Sequence, residues 1–143
     1  LSVEGMDWYV WAGRTNQNIN TGQAGLFNRI DRPLNHYGLN FAVVSCPVDQ
    51  GRRDSLPHKI WEWVGNSYIF NATGRAPATN GGLVGRRATS IRDPSRTVVF
   101  ADTSLMTPED ERGWHRAKTA GNIAAFDGHV EFHTALSVTN LIW

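Results

Sequence analysis

One dipeptide constrains this chain more than any other feature. Ile123-Ala124-Ala125-Phe126 and His129-Val130-Glu131-Phe132 flank Asp127-Gly128. Asp-Gly between two β-prone runs is a strong short-range hairpin signal, because a tight turn needs positive φ and these residues tolerate it. The spacing predicts a hairpin over residues 122–134. A two-residue turn would pair Phe126 with His129, Ala125 with Val130, Ala124 with Glu131 and Ile123 with Phe132. Side chains alternate along a strand, so Ile123, Ala125, Val130 and Phe132 would form the core face, with Glu131 and His133 pointing away.

The rest of the sequence reads as short strands between long loops. Strands are expected at residues 7–11 (aromatic and β-branched), 41–45 (stopped by Cys46-Pro47), 67–71 and 96–101. The last follows Asp93-Pro94-Ser95, a turn signal with a mechanism. Residues 32–38 predict one helical turn, with Pro near its start and Gly at its stop. Residues 72–85 and 106–113 read as surface loops. No repeat, coiled coil or low-complexity tract interrupts this pattern. The fold class expected is α+β: a mainly antiparallel sheet with long ordered loops, short helices and a C-terminal β-hairpin. At 143 residues, residues 1–143 form a single domain.

Charge and cysteine count narrow the partners. The formal net charge is +1 and charged residues are 19 %. A phosphate-tracking surface needs a basic excess, so nucleic acid is not an expected partner. The cations are lopsided, with 12 Arg against 2 Lys. Guanidinium forks suit hydrogen-bonded ties between loops, and Arg96, at the entry to an expected strand, is the first candidate for one, with Arg92 second. The single cysteine, Cys46, excludes an internal disulfide and reads as a buried, redox-inert thiol. No apolar run reaches the ~18 residues that span a bilayer.

Few residues invite a chemical reading. Asp102, His115, Asp127 and His129 are the candidates for a divalent metal, since imidazole and carboxylate are ordinary ligands. Their spacing matches no metal signature. His129 and His133, four apart on a strand, would stand ~13 Å from each other. The expectation is therefore no metal, no cofactor and no catalytic residue. Ser45, Ser67 and Ser104 lie in no nucleophile elbow. Residues 80–85 lack the Lys-Ser/Thr of a phosphate loop. Trp61 and Trp63 share a face if their segment is a strand, which makes them the candidates for a stacking platform.

Four segments taken in order resemble one family: residues 41–49 with Cys46-Pro47-Val48-Asp49; residues 65–71 with Gly65-Asn66-Ser67-Tyr68; residues 93–102 ending Phe100-Ala101-Asp102; and residues 122–132 with Asp127-Gly128-His129-Val130. Asp7-Trp8-Tyr9-Val10-Trp11 and Pro33-Leu34-Asn35-His36-Tyr37 fit the same group. The succession is similar to prepilin-like bacterial proteins akin to type II secretion pseudopilins, with a C-terminal His, nine residues, then Asp-Gly. Here eleven residues separate His115 from Asp127. The family's long apolar N-terminal helix is not in this chain, which corresponds to the globular head.

The resemblance implies a non-enzymatic, extracytoplasmic subunit of a pilus-like or secretion-associated assembly. It would be periplasmic or at the cell surface. Its partners would be other pilin-like subunits or further copies of itself, with membrane contact only through that N-terminal helix. Two other classes compete: a carbohydrate- or polymer-binding module working through Trp61 and Trp63, and a metal-dependent hydrolase built on Asp102, His115, Asp127 and His129.

Overall fold

The computed structural model describes residues 11–14, 32–39, 41–51, 59–72, 82–105, 115, 120–134 and 140–143. The expected strand at 7–11 lies outside them except for Trp11, which sits in a turn. The surface loops expected at 72–85 and 106–113 also lie largely or wholly outside.

Four strands form one antiparallel sheet in sequence order: β1 (Tyr68–Phe70), β2 (Val98–Asp102), β3 (Ala120–Ala125) and β4 (Val130–Thr134). The expected α+β, mainly antiparallel architecture is therefore what the chain adopts. Two short helices, α1 (Phe41–Val44) and α2 (Ile60–Val64), precede the sheet. A 3-10 turn occupies Pro33–Tyr37, with proline at its first turn and Gly38 stopping it in the left-handed region (φ 82°), as the sequence predicts.

The hairpin forms, but its register differs from the expected one by a single residue. Ala124 pairs with Val130, Ile123 with Glu131 and Asn122 with Phe132. The turn holds three residues, Phe126-Asp127-Gly128. The Gly128 N–H donates to the Ala125 carbonyl (3.0 Å) and the Ala125 N–H to the His129 carbonyl (2.9 Å). Gly128 supplies a positive φ, at 93°. This is a type I turn closed by a glycine bulge, the next commonest solution after the two-residue turn. The extra residue is held from outside. The Phe126 N–H donates to the Thr97 carbonyl (2.9 Å), docking the turn on the Asp93–Thr97 bend.

A one-residue slip reverses every side chain of β4. Val130 and Phe132 therefore join Ala124 and Asn122, away from the core, and are 63 % and 54 % exposed. Glu131 and His133 fall on the side of Ile123 instead. The core itself lies on that side and is built from Ile69, Val98, Ala101, Leu105, Ile123 and Trp143. The C-terminal residues reach it through a parallel bridge between Thr97 and Ile142, in which the Val98 N–H donates to the Ile142 carbonyl (2.9 Å). The opposite sheet face carries Tyr68, Phe70 and Phe100, which pack against Trp11, Val44, Leu34 and Leu39.

Residues 41–45 are the second correction. An apolar run of this length is ambiguous between strand and helix, and tertiary partners decide for the helix. Val44 is buried, and its carbonyl accepts the Ser67 N–H (2.9 Å) just ahead of β1. A helical turn lets Val44 face the sheet and Phe41 meet Trp61, ring centroids 4.9 Å apart and edge-on.

Outside the sheet, buried side chains take the place of a backbone ladder. Arg32 is 0 % exposed; its two terminal nitrogens donate to the Ala12 and Val64 carbonyls, both at 2.8 Å. Burial pulls its pKa down to about 10, which leaves it charged at neutral pH. Asn66 donates to the same Ala12 carbonyl (2.8 Å), and Asn35 exchanges two bonds with the Gly13 backbone (2.9 and 3.0 Å). Gly65 has φ 93°, and a Cβ there would fall on the Arg14 carbonyl and within 2.5 Å of the Arg32 guanidinium. Arg96, the tie expected from sequence, does reach the Asn140 carbonyl (2.9 Å from Nε), but with its side chain 55 % exposed.

Arg32→Met is expected to destabilise the fold by about 3 kcal/mol or more, since each charge-assisted bond to a buried carbonyl contributes ~1.5–3 kcal/mol. Arg86→Met, at an exposed position, should leave the urea midpoint unchanged. Equal midpoints for both variants would contradict the account.

Candidate functional site

The site begins with a buried carboxylate. Asp49 is 2 % exposed and collects four donors. Its Oδ1 accepts the Gly51 N–H (2.9 Å) and the Ile60 N–H (3.1 Å); its Oδ2 accepts the Trp61 N–H (3.3 Å) and the Ser67 hydroxyl (2.7 Å). It thus caps the first turn of α2 from a distance, as a side chain does at a helix N-terminus. Ser67 Oγ in turn accepts the Cys46 N–H at 3.0 Å. This chain of bonds fixes Cys46, at the exit of α1, against the start of β1.

Cys46 meets two residues from elsewhere in the sequence. Its Sγ lies 3.8 Å from His115 Nε2, and the same Nε2 lies 3.0 Å from Asp102 Oδ2. The three donor atoms all fall within 4.8 Å of one another. Cys46 and Asp102 are buried, whereas the His115 side chain keeps 19 % exposure. Asp102 ends β2, on the same sheet face as Tyr68 and Asn122. Its Oδ2 also accepts the Asn122 N–H (2.7 Å) and side-chain amide (3.1 Å), which fixes the carboxylate plane. Gly121 is required beside it, because a Cβ there would lie 2.5 Å from Asp102 Cβ. The His115 ring stands edge-on to Phe132, centroids 6.1 Å apart.

Burial pushes the Cys46 thiol above its usual range; the Val48 backbone N–H offsets part of this, and the Asp102 and Asp49 carboxylates add to it. A neutral thiol is a poor nucleophile. The geometry points the same way. In a nucleophile–base–orienter relay the thiol and the carboxylate address opposite ring nitrogens. Here both address Nε2.

The structure thus brings together two of the four residues named as metal candidates, Asp102 and His115. It places Asp127 and His129 at the hairpin turn, at the far end of β3. From Asn122, beside Asp102, that turn is roughly 15 Å along the strand. His129 Nδ1 lies 2.6 Å from Asp127 Oδ1, and the His129 N–H donates to the same oxygen (3.1 Å). Those contacts, the backbone one foremost, hold the Asp127 carboxyl below its usual range. His133 contacts Glu131 instead (3.1 Å). Residues 61 and 63 lie in α2, so they do not share a strand face. Trp61 is half-buried against Phe41, with Lys59 Nζ 5.5 Å from its ring centre.

Sequence reasoning missed Cys46 as a partner of Asp102 and His115.

Comparison with protein-family profiles, with curated proteins and with solved structures finds no match to this chain.

With metal removed by chelator, Cys46 should react with a thiol reagent at least ~100-fold more slowly in the native than in the urea-unfolded chain, because reaction then waits on local opening. The native rate should still be rising above pH 9. Rapid native labelling at neutral pH would contradict both the burial and the raised pKa.

Proposed function

We propose that this chain is a non-enzymatic, extracytoplasmic subunit of a pilus-like or secretion-associated assembly, acting through protein–protein contact. The observation that carries the reading is the half-covered sheet face. Trp11, Val44 and Leu39 cover it over β1 and β2, while Val130 and Phe132 on β4 stay exposed. β4 is also an edge of the described sheet. Between the covered and open halves runs a groove of about 430 Å³ that includes Trp11, Val43, Phe100 and Val130. The Trp11 indole N–H is buried there with no acceptor among the described residues. Exposed apolar side chains on an edge strand of the described sheet suit a subunit that lays this face on a neighbour.

The extracytoplasmic setting and the pilin-like partners rest on the resemblance of residues 41–49, 65–71, 93–102 and 122–132 to prepilin-like proteins. The shared use of Nε2 at Cys46, Asp102 and His115, which is not a relay, supports a binding role over a hydrolytic one.

Sedimentation from micromolar to millimolar concentration tests the reading. Concentration-dependent self-association is expected, and Val130→Lys with Phe132→Glu should abolish it without shifting the thermal transition by more than a few degrees, since both side chains are exposed. A chain that stays monomeric at millimolar concentration, or that associates equally well with both substitutions, would contradict the assignment of this surface.

A further inference from the structure

We propose that Cys46, Asp102 and His115 form a site for one zinc ion. This goes beyond the assembly reading and does not depend on it.

The donors converge. Thiol sulfur, carboxylate oxygen and imidazole nitrogen come from three separate chain segments and meet at one point, with Sγ and Oδ2 both facing the same Nε2. A tetrahedral zinc with ordinary bond lengths has edges of about 3.6 Å between sulfur and a nitrogen or oxygen donor, and about 3.3–3.4 Å between nitrogen and oxygen. The observed separations are 3.8 Å for Sγ to Nε2 and 3.0 Å for Nε2 to Oδ2. Those two edges lie within a few tenths of an ångström of the tetrahedral values, and all three donor atoms lie within 4.8 Å of one another. The short Nε2–Oδ2 contact is the hydrogen bond that the ion would replace.

The charges also balance. Zinc binding converts the Cys46 thiol to a thiolate, and the proton passes to solvent. One thiolate and one carboxylate then offset the dication, with His115 neutral. A balanced set is what a buried location tolerates. The donor set selects the ion as well: a thiolate with an imidazole favours zinc and disfavours calcium and magnesium, which take oxygen ligands.

Outer hydrogen bonds hold the ligands in place. Asp102 Oδ2 is fixed by the Asn122 backbone and side chain, and Cys46 is fixed through Ser67 by Asp49. Such support characterises real metal sites. The ion would clamp the exit of α1 to the end of β2 and to His115. A fourth donor, water or another ligand, completes the tetrahedron.

The full chain, stripped with chelator, is titrated with Zn²⁺ and separately with Co²⁺. One ion per chain is expected, with release of one proton, a higher melting temperature and, for cobalt, the near-ultraviolet sulfur-to-metal charge-transfer absorption. Cys46→Ser, close in volume, should lose that absorption, and His115→Ala should weaken zinc binding on the order of 100-fold. His129→Ala, at the hairpin turn, should change neither. Micromolar Ca²⁺ should not raise the melting temperature. The proposal is overturned if folded wild-type protein binds cobalt without the charge-transfer band, binds no zinc at micromolar concentration, or loses zinc through His129→Ala rather than His115→Ala. The wild-type titrations decide the matter even if a variant fails to fold.

Discussion

The structure hangs on one buried carboxylate. Asp49 draws together the loop after α1, the first turn of α2 and the residue that opens β1, using four hydrogen bonds to three stretches of chain. A buried charge without such partners would be prohibitively costly, so those bonds must all form together. The neighbouring end of the sheet inherits its position from them. Ser67 places Cys46, and the Ser67 carbonyl accepts both the Thr103 N–H (3.2 Å) and hydroxyl (2.9 Å), locking the end of β2. Cys46 and Asp102 are thus neighbours because the segments that carry them are both tied to Ser67.

Arg32 is the cationic counterpart, set farther from the sheet. Among the described residues the helices have four or five residues and the sheet four strands of at most six, so the regular ladder is small. Backbone carbonyls left over at Ala12 and Val64 need donors, and a guanidinium fork supplies two in fixed geometry. Asn35 and Asn66 do the same for Gly13 and Ala12. The glycines at 13 and 65 let these backbones approach close enough to be bridged. A chain rich in arginine, asparagine and glycine but poor in long periodic segments has that composition because its loops are held by side chains.

The hairpin, the strands near 67–71 and 96–101, and the 3-10 turn at Pro33–Tyr37 were legible because their determinants are local: Asp-Gly, β-branched runs, Pro then Gly. The hairpin register was not, because Phe126, which joins Asp127-Gly128 in the turn, is anchored by Thr97, far away in sequence. Nor was α1, whose four residues carry no period and take their state from Val44 meeting Ser67. At the site, Asp102 and His115 could be suspected from residue type alone. Cys46 could not be joined to them, because a lone cysteine before proline has the same appearance whether it packs inertly or faces an imidazole. Arg96 and Arg32 were indistinguishable as guanidinium donors; only burial separates them.

The parallel bridge between Thr97 and Ile142 has a consequence for how the protein is made. Trp143 and Leu141 close the core over Ile69, Val98 and Ile123, yet they follow the hairpin in synthesis. A nascent chain leaving the ribosome can zip β3 onto β4 early, since that contact is local, but the apolar side of β2 lacks Leu141 and Trp143 until residues 141–143 clear the exit tunnel. During that interval the emerging sheet displays Val98 and Ile123 on one side and Val130 and Phe132 on the other. The stretch is therefore where a holdase chaperone, or an unwanted neighbour on the polysome, would find the chain.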